Sequence, residues 1–416
     1  MKKTLLAAAL IAGYAGAASA QNSVTLYGVV DIGLLYQNVK APATATAASK
    51  TYNQLGMASG QNAGSRWGLK GVEDLGNGLK AMFVYEQGVN VETGSATGFT
   101  RASYIGLESS AWGTVKLGRD TSSGTDMTSG IDPFGASFGT AALDSTMGTS
   151  FIRYSNMLKY TSPSFAGFQG SLGYTFGDQG NAVSAYSTST TNITGVTAAS
   201  PVAAYNSATF GTTNKNRALT VGLRYANGPL LVAASYDQIM LNSQGVSTSR
   251  TAVVNSSGNV GVRSVTVPVP ASDPKAWLLG GTYDFKVAKL HAAYGQVIDG
   301  LIDGSAAFQD AGAPAGNTNS NGGILAAPGG RSQSWMLGVS APVGAAGKVF
   351  ASWQQQIPGG IFDTNGAATA NIGSVGYTYN MSKRTNLYAY YSYTSNYLMI
   401  DGLKTNQLGV GVRHLF

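Results

Sequence analysis

The chain has 416 residues, of which only 11% are charged, and its 56 glycines are about 13% of the total; typical globular chains run at ~25% and ~7%. It has no Cys, which excludes disulfides and thiolate metal sites, and its two histidines, His291 and His414, lie too far apart in sequence to found a zinc site or a His-based triad. A formal net charge of +7 spread over so few charged residues, with 22 Tyr, fits neither a disordered chain nor a nucleic-acid binder.

Residues 1–20 read as a secretory signal peptide. Lys2 and Lys3 form the basic region, Leu5 to Ala17 the apolar region, and Ala18-Ser19-Ala20 the small-residue cleavage site. A transmembrane anchor is the competing reading, but the apolar stretch is short and holds Gly13 and Gly16. Cleavage leaves a chain of net charge +5 over residues 21–416, expected to form one domain. That chain has no apolar run approaching the ~18–20 residues of a membrane helix, so it either stays soluble or enters a membrane as a barrel.

From Ser23 onward the pattern has period two. Val24, Leu26, Val30, Ile32 and Leu34 share one face, while Tyr27 and Asp31 share the other. At the far end Leu408, Val410, Val412, His414 and Phe416 alternate with Gln407, Gly409, Gly411 and Arg413. The alternation predicts strands over 23–37, 65–75, 79–89, 100–109, 114–120, 150–162, 168–176, 217–225, 230–240, 275–284, 287–298, 331–341, 347–356, 370–380, 386–396 and 404–416. Their connections alternate between short turns, such as Gly76-Asn77-Gly78 and Ala226-Asn227-Gly228-Pro229, and long polar loops that include 38–64, 121–149, 177–216, 241–274 and 299–330. Sixteen strands, seven turns and eight loops are what a barrel with both termini on one side requires. A sandwich has no reason to sort its connections this way. The expected fold is therefore all-β, a transmembrane antiparallel barrel of sixteen strands with short periplasmic turns, long outer loops and an aqueous lumen.

Several ordered motifs carry a resemblance. Ser23-Val24-Thr25-Leu26-Tyr27-Gly28 opens the mature chain, and Ser65-Arg66-Trp67-Gly68-Leu69-Lys70-Gly71 leads through Val72-Glu73-Asp74-Leu75 into Gly76-Asn77-Gly78-Leu79. Later come Gly113-Thr114-Val115-Lys116-Leu117-Gly118-Arg119, Tyr160-Thr161-Ser162-Pro163, Ser382-Lys383-Arg384-Thr385 and Gly411-Val412-Arg413-His414-Leu415-Phe416. Together they resemble the general-diffusion porins of Gram-negative outer membranes, most closely the neisserial and β-proteobacterial branch. The resemblance implies a homotrimer of barrels that pass small hydrophilic solutes and ions passively. The outer membrane supplies the other expected partners, its lipid and lipopolysaccharide.

In that resemblance Arg66, Arg119 and Arg153 match positions from which porin walls project arginines into the constriction. Lys159 shares strand parity with Arg153, because Leu158 and Tyr160 suit lipid, and is expected to point inward as well. The bland alternative is solvated charge at strand ends; a charge on the lipid face near mid-bilayer costs about 2–4 kcal/mol. The segment from Asp120 to Thr149 matches the family's third loop, which folds into the pore, and Asp126, Asp132 and Asp144 are its candidate acidic residues. Asp132-Pro133-Phe134-Gly135 is similar to the acidic-Phe-Gly element of such loops, although a related pattern carries the carboxylate after Pro. An ordinary exposed loop is the alternative. Arginines facing carboxylates would set up a transverse field in the gap, with weak anion preference if the arginines outnumber them. Phe416 resembles the family's C-terminal aromatic, which implies recognition by the outer-membrane assembly machinery; a girdle residue is the plainer reading.

The residues support no enzyme assignment. No G-x-S-x-G elbow is present and histidines are scarce, so no catalytic residue, cofactor or metal is expected. A solute-selective channel with a defined binding site, an outer-membrane enzyme, and a plugged structural or adhesive barrel remain as alternatives, and bilayer conductance separates an open pore from the last two.

Overall fold

Alternation of side chains across a strand lets one face meet lipid while the other meets water, and this chain uses that device throughout. The computed structural model describes residues 23–43, 49–96, 98–99, 101–147, 152–176, 217–240, 246–254, 260–268, 272–302 and 324–416. The expected signal segment, residues 1–20, and the expected loop at 177–216 lie outside them. The strands are β1 (Ser23–Ala41), β2 (Lys50–Ser59), β3 (Arg66–Gly76), β4 (Leu79–Gly88), β5 (Ala102–Ser109), β6 (Gly113–Thr121), β7 (Arg153–Thr161), β8 (Phe168–Thr175), β9 (Arg217–Asn227) and β10 (Leu230–Met240). They continue with β11 (Val246–Val254), β12 (Val260–Pro268), β13 (Lys275–Asp284), β14 (Lys289–Ile302), β15 (Ile324–Val343), β16 (Gly347–Gly360), β17 (Ala370–Asn380), β18 (Thr385–Ser395) and β19 (Lys404–Leu415).

Seventeen of these, with β2 and β3 sharing one position, form the sixteen wall strands of a closed antiparallel barrel in which sequence neighbours pair, and β1 closes the ring against β19 from Val29↔Leu415 to Lys40↔Lys404. The sequence-predicted strands are all present. Three expected loops contain more structure than the polarity of their sequences indicates. The stretch 38–64 holds the end of β1 and all of β2, which pairs with β1 from Ile32↔Ser59 to Ala41↔Lys50. β3 takes up the same side of β1 from Val29↔Arg66 to Ser23↔Val72, so β2 and β3 act as one wall strand broken at Gly60–Ser65. The stretch 241–274 holds the β11–β12 hairpin, a separate two-stranded sheet. β14 and β15 also extend into the stretch 299–330, to Ile302 and from Ile324.

Packing is inverted relative to a water-soluble domain. Val24, Leu26, Val30 and Leu34 on β1 are exposed, as are Leu408, Val410 and Val412 on β19, while Asp31, Gln37, Gln354 and Gln407 are buried. The exposed apolar rows are the lipid-facing band of a membrane barrel. The glycine excess has a structural reason: the ring of Phe416 covers Gly28, Phe83 covers Gly71, Phe350 covers Gly376, and Tyr390 covers Gly409, each aromatic lying where a Cβ would have to stand. Such aromatic cover across strands offsets the loss of side-chain packing at glycine.

The break at Gly60–Ser65 is held by the buried Asp31. Its Oδ2 accepts the N–H groups of Asn62 (2.8 Å) and Ala63 (2.6 Å), and its Oδ1 accepts the Tyr388 hydroxyl (2.6 Å). A bare buried carboxylate would be costly, and these donors replace its water.

Candidate functional site

Residues 122–147 connect to β6 and pack on inward-facing side chains of the wall. A six-residue helix, Ser123–Thr128, begins at Ser122, whose Oγ caps the Thr125 N–H at 3.0 Å. Two single-turn 3-10 helices follow, Gly139–Ala141 and Leu143–Ser145. Ile131, Leu143 and Met147 cluster with Ala233, Leu278, Ala293 and Met336, while Phe134 and Phe138 join Leu35, Phe350, Tyr388 and Tyr390. Polar contacts fix the same segment from four directions. Gln61 accepts the Phe138 N–H through its backbone carbonyl (2.6 Å), Gln407 Oε1 accepts the Thr140 N–H (2.9 Å), Thr146 Oγ1 donates to Gln354 Oε1 (2.8 Å), and His291 Nδ1 contacts the Ile131 carbonyl (2.8 Å). His291 is thus buried against this segment.

The wall next to β3 carries the cationic group. Glu86 lies between two guanidiniums: its Oε2 is 3.3 Å from Arg66 Nε and its Oε1 is 2.7 Å from Arg101 Nε, while Tyr27 donates to it at 3.1 Å. Arg66 also feels the charge of Arg413, and Arg153 feels those of Arg101 and Arg119. Arg119 reaches this neighbourhood at a bulge. Gly118 takes φ +136°, the β6–β7 register shifts between Gly118 and Asp120, and Arg119 Nη1 donates to Ser155 Oγ at 2.7 Å. Five arginines, from β3, β6, β7, β19 and the residue just before β5, therefore share one region. Glu86, Asp31 and Asp120 are the carboxylates in electrostatic contact with these five arginines, so cations prevail there.

Sequence reasoning singled out Arg66, Arg119 and Arg153 and missed Arg101, Arg413 and Glu86. Arg413 carried a usable signal, since it falls on the inward parity of β19 opposite Asp31. Arg101 and Glu86 carried none, because their meeting depends on the β4–β5 register, in which Glu86 pairs with Ala102.

Lys159 takes a different place from its expected one. Its side chain is only 1% exposed, and Nζ lies 2.6 Å from Asp120 Oδ2 and 2.7 Å from Asp126 Oδ2 while donating to the Thr121 carbonyl at 2.8 Å. Lys116 adds a second cation on Asp120 at 2.9 Å. Two lysines and two aspartates thus form a balanced cluster under the helix Ser123–Thr128, with Lys159 as a tether sealed from the lumen.

The loop aspartates are likewise engaged on their own side. Asp132 is buried and accepts the N–H groups of Phe134 (2.8 Å), Ala136 (2.8 Å) and Leu143 (3.0 Å), stapling the segment to itself. Burial pushes its carboxyl up, with the three N–H donors acting against that shift. Asp144 is pushed up to about 7, first by burial and then by the charge of Asp132. The carboxylate that meets Arg66 and Arg101 is Glu86, which lies on the same wall, on the strand β4 next to Arg66.

Phe416 ends the chain at the seam. Its N–H donates to the Gly28 carbonyl and the Gly28 N–H donates to the Phe416 carbonyl, both at 3.1 Å, and its ring is 45% exposed on the outer face.

Comparison with known proteins places this architecture. A family model for Gram-negative porins matches residues 6–397. An outer membrane porin protein of Bordetella pertussis is 40% identical over 427 aligned positions, covering 100% of each chain. Outer membrane porin protein 32 of Delftia acidovorans is 31% identical over 408 positions, covering 95% of this chain and 90% of that one. Among solved structures, the anion-selective porin from Comamonas acidovorans superposes with a TM-score of 0.60 at 24% identity, over 95% of this chain and 100% of that one. A closed sixteen-stranded barrel with lipid-facing apolar rows and this whole-length kinship leave one assignment: the chain belongs to the Gram-negative porin family, the diffusion channels of the outer membrane.

Proposed function

We propose that this porin is a general diffusion channel with weak anion preference, its narrowest part set between residues 122–147 and the arginine-bearing wall. The observation that carries the reading is the Arg66–Glu86–Arg101 group together with Arg119, Arg153 and Arg413, in which cations outnumber carboxylates. In a water-filled constriction with low-dielectric walls such an excess raises the local concentration of anions and lowers that of cations. Guanidinium suits the role because it stays protonated when crowded. The structurally similar Comamonas acidovorans protein is an anion-selective porin, which agrees with this direction.

Three further parts complete the proposal. Residues 1–20 are removed on export, leaving Gln21 as the first residue. The mature barrel assembles as a homotrimer in a membrane of lipid and lipopolysaccharide. Phe416 serves as the C-terminal aromatic read by the assembly machinery. The test is a planar-bilayer measurement on the purified mature protein in a tenfold KCl gradient. Discrete open-channel steps with a reversal potential displaced towards that of chloride are expected. A potential at zero or on the potassium side rejects the selectivity, and the absence of steps rejects the open channel.

A further inference from the structure

The lumen of a water-filled membrane barrel is polar as a rule, and one stretch of this wall departs from it. On β3 and β4 the residues that share the inward parity of Arg66 and Glu86 include Val72, Met82 and Val84. Register sets Val72 directly opposite Met82 and Lys70 directly opposite Val84, and then Val84 opposite Tyr104 on β5. Other inward apolar side chains are covered. Leu278 and Met336 pack beneath residues 122–147, and Ile239 and Val297 lie in a buried cluster of their own. Val72 is exposed, and Met82 and Val84 are only half-buried.

Two lysine–tyrosine contacts frame this patch. Lys70 Nζ stands 5.3 Å from the centre of the Tyr27 ring, and Lys116 Nζ stands 4.4 Å from that of Tyr104. Lys116 is paired with Asp120 at 2.9 Å, whereas Lys70 has no carboxylate at ion-pair distance among the described residues. Two inward glycines keep the surface low. A Cβ at Gly68 would stand 2.9 Å from Tyr27 Oη, and one at Gly106 would stand 3.3 Å from both Met82 Cγ and Lys116 Cγ. Arg66 is four residues from Lys70 on the same face, ~13 Å along a strand rising about 3.3 Å per residue. A solute leaving the arginine group towards the Gly76–Gly78 turn therefore meets Lys70 and Val84 next. Apolar wall in a wet lumen orders water that it cannot bond, and a solute with one flat apolar face and one negative charge releases that water while keeping an ion pair.

We propose that Lys70, Met82, Val84 and Tyr104 form a binding site for an aromatic carboxylate on the short-turn side of the arginine group. The proposal rests on the reading of the chain as an anion-preferring channel and narrows it to a class of solute. The carboxylate pairs with the Lys70 ammonium, which has no other anionic partner there. The ring lies over Val84 and Met82 with its edge towards Tyr104, an offset arrangement that aromatic pairs favour. A small aliphatic carboxylate has the charge without the flat face, and a neutral ring has the face without the charge.

The test records open channels of the mature protein in planar bilayers in KCl and reads the concentration of added potassium benzoate that gives half its maximal reduction of the current. Covering one ring face with apolar wall corresponds to about tenfold in affinity, so benzoate should act at about one tenth of the acetate concentration. Benzyl alcohol should leave the current unchanged where benzoate acts. Met82→Ser with Val84→Ser should bring benzoate within about twofold of acetate while the KCl conductance and reversal potential stay at the parent's values. Val84→Thr, of the same shape, should move benzoate the same way by a smaller factor and serves where the double variant folds poorly. Lys70→Gln should weaken benzoate and acetate alike, by about fivefold, and Lys70→Arg should restore both. Benzoate acting no better than acetate on a parent channel that keeps its chloride-directed reversal potential overturns the site and leaves the channel reading standing. Loss of that potential in the parent overturns the reading and the site together. Equal benzoate sensitivity of parent and serine variants overturns the site, and cyclohexanecarboxylate acting as well as benzoate overturns the preference for a ring.

Discussion

Lys159 Nζ lies 2.7 Å from Asp126 Oδ2, and this contact joins the wall strand β7 to the helix Ser123–Thr128. With Asp120 at 2.6 Å on the same ammonium, one almost fully buried cation holds two carboxylates together. Removing it leaves Asp126 without its ammonium partner and Asp120 with Lys116 alone. Breaking a buried pair by deleting one partner costs about 3–5 kcal/mol. Lys159→Met should therefore lower the unfolding midpoint in detergent and add low-frequency noise to the open-channel current as the segment loosens. Asp126→Asn, which leaves Asp120 on the lysine, should cost less than half as much. Equal stability of Lys159→Met and the parent, read by heat-modifiable gel migration, would show that the tether carries no load.

The barrel seam supports a second prediction. A Cβ at Gly28 would stand 2.3 Å from Phe416 Cζ and 2.7 Å from the Arg66 carbonyl, so no larger residue fits without shifting the ring or the ladder. Overpacking of this kind costs about 1–3 kcal/mol. Gly28→Ala should slow refolding from urea and lower the folded yield. Phe416→Ala removes the ring, and Gly28→Ala should then be tolerated in the double variant better than in the single one. If the two losses simply add, ring and glycine are not coupled.

The architecture was readable from the sequence because a membrane barrel writes its inside and outside into successive residues. Leu408, Gly409, Val410 and Gly411 can hardly be read otherwise. β2 escaped because Thr51 and Asn53 occupy its outward positions near the outer rim, where lipid no longer demands an apolar residue. Site chemistry was less legible. Parity gave the direction of Lys159 but not the helix that covers it. The bulge at Gly118 displaces Arg119 from simple alternation with Leu117 in a way no spacing discloses. Asp132 has the residue type expected of a constriction acid, and only its three N–H donors reveal that it is a staple.

Asp144 gives the protein a dependence on pH. Its carboxyl is raised from 3.8 to about 7, so between those values the folded state holds a proton that the unfolded state has released. The stabilising contribution is full below pH ~4 and is lost as pH rises through 7. Asp144→Asn removes the titration. It should raise the unfolding midpoint at pH 8 while leaving that at pH 4 nearly unchanged, and the parent's fall in midpoint between the two should shrink. An identical pH slope in the variant assigns the titration to another group.

Selectivity is tested from both signs of charge. Arg119→Gln with Arg153→Gln removes two of the cations that share a field beside Glu86, whereas Glu86→Gln removes the carboxylate between Arg66 and Arg101. A unit charge 4 Å from a permeating ion in water acts with about 1 kcal/mol, or about fivefold on each ion, and because chloride and potassium respond with opposite sign the chloride-to-potassium permeability ratio changes by up to about 25-fold per substitution. The double arginine variant should move the reversal potential towards that of potassium, and Glu86→Gln should move it further towards that of chloride. The latter also leaves two guanidiniums facing each other, so Glu86→Gln should fold less stably than the arginine variant, whose removed charges repel their neighbours. High salt should compress both shifts, because the Debye length falls to about 3 Å at 1 M. A well-folded double variant with the parent's reversal potential would place the current-limiting region away from these arginines and return the selectivity to the outer loops.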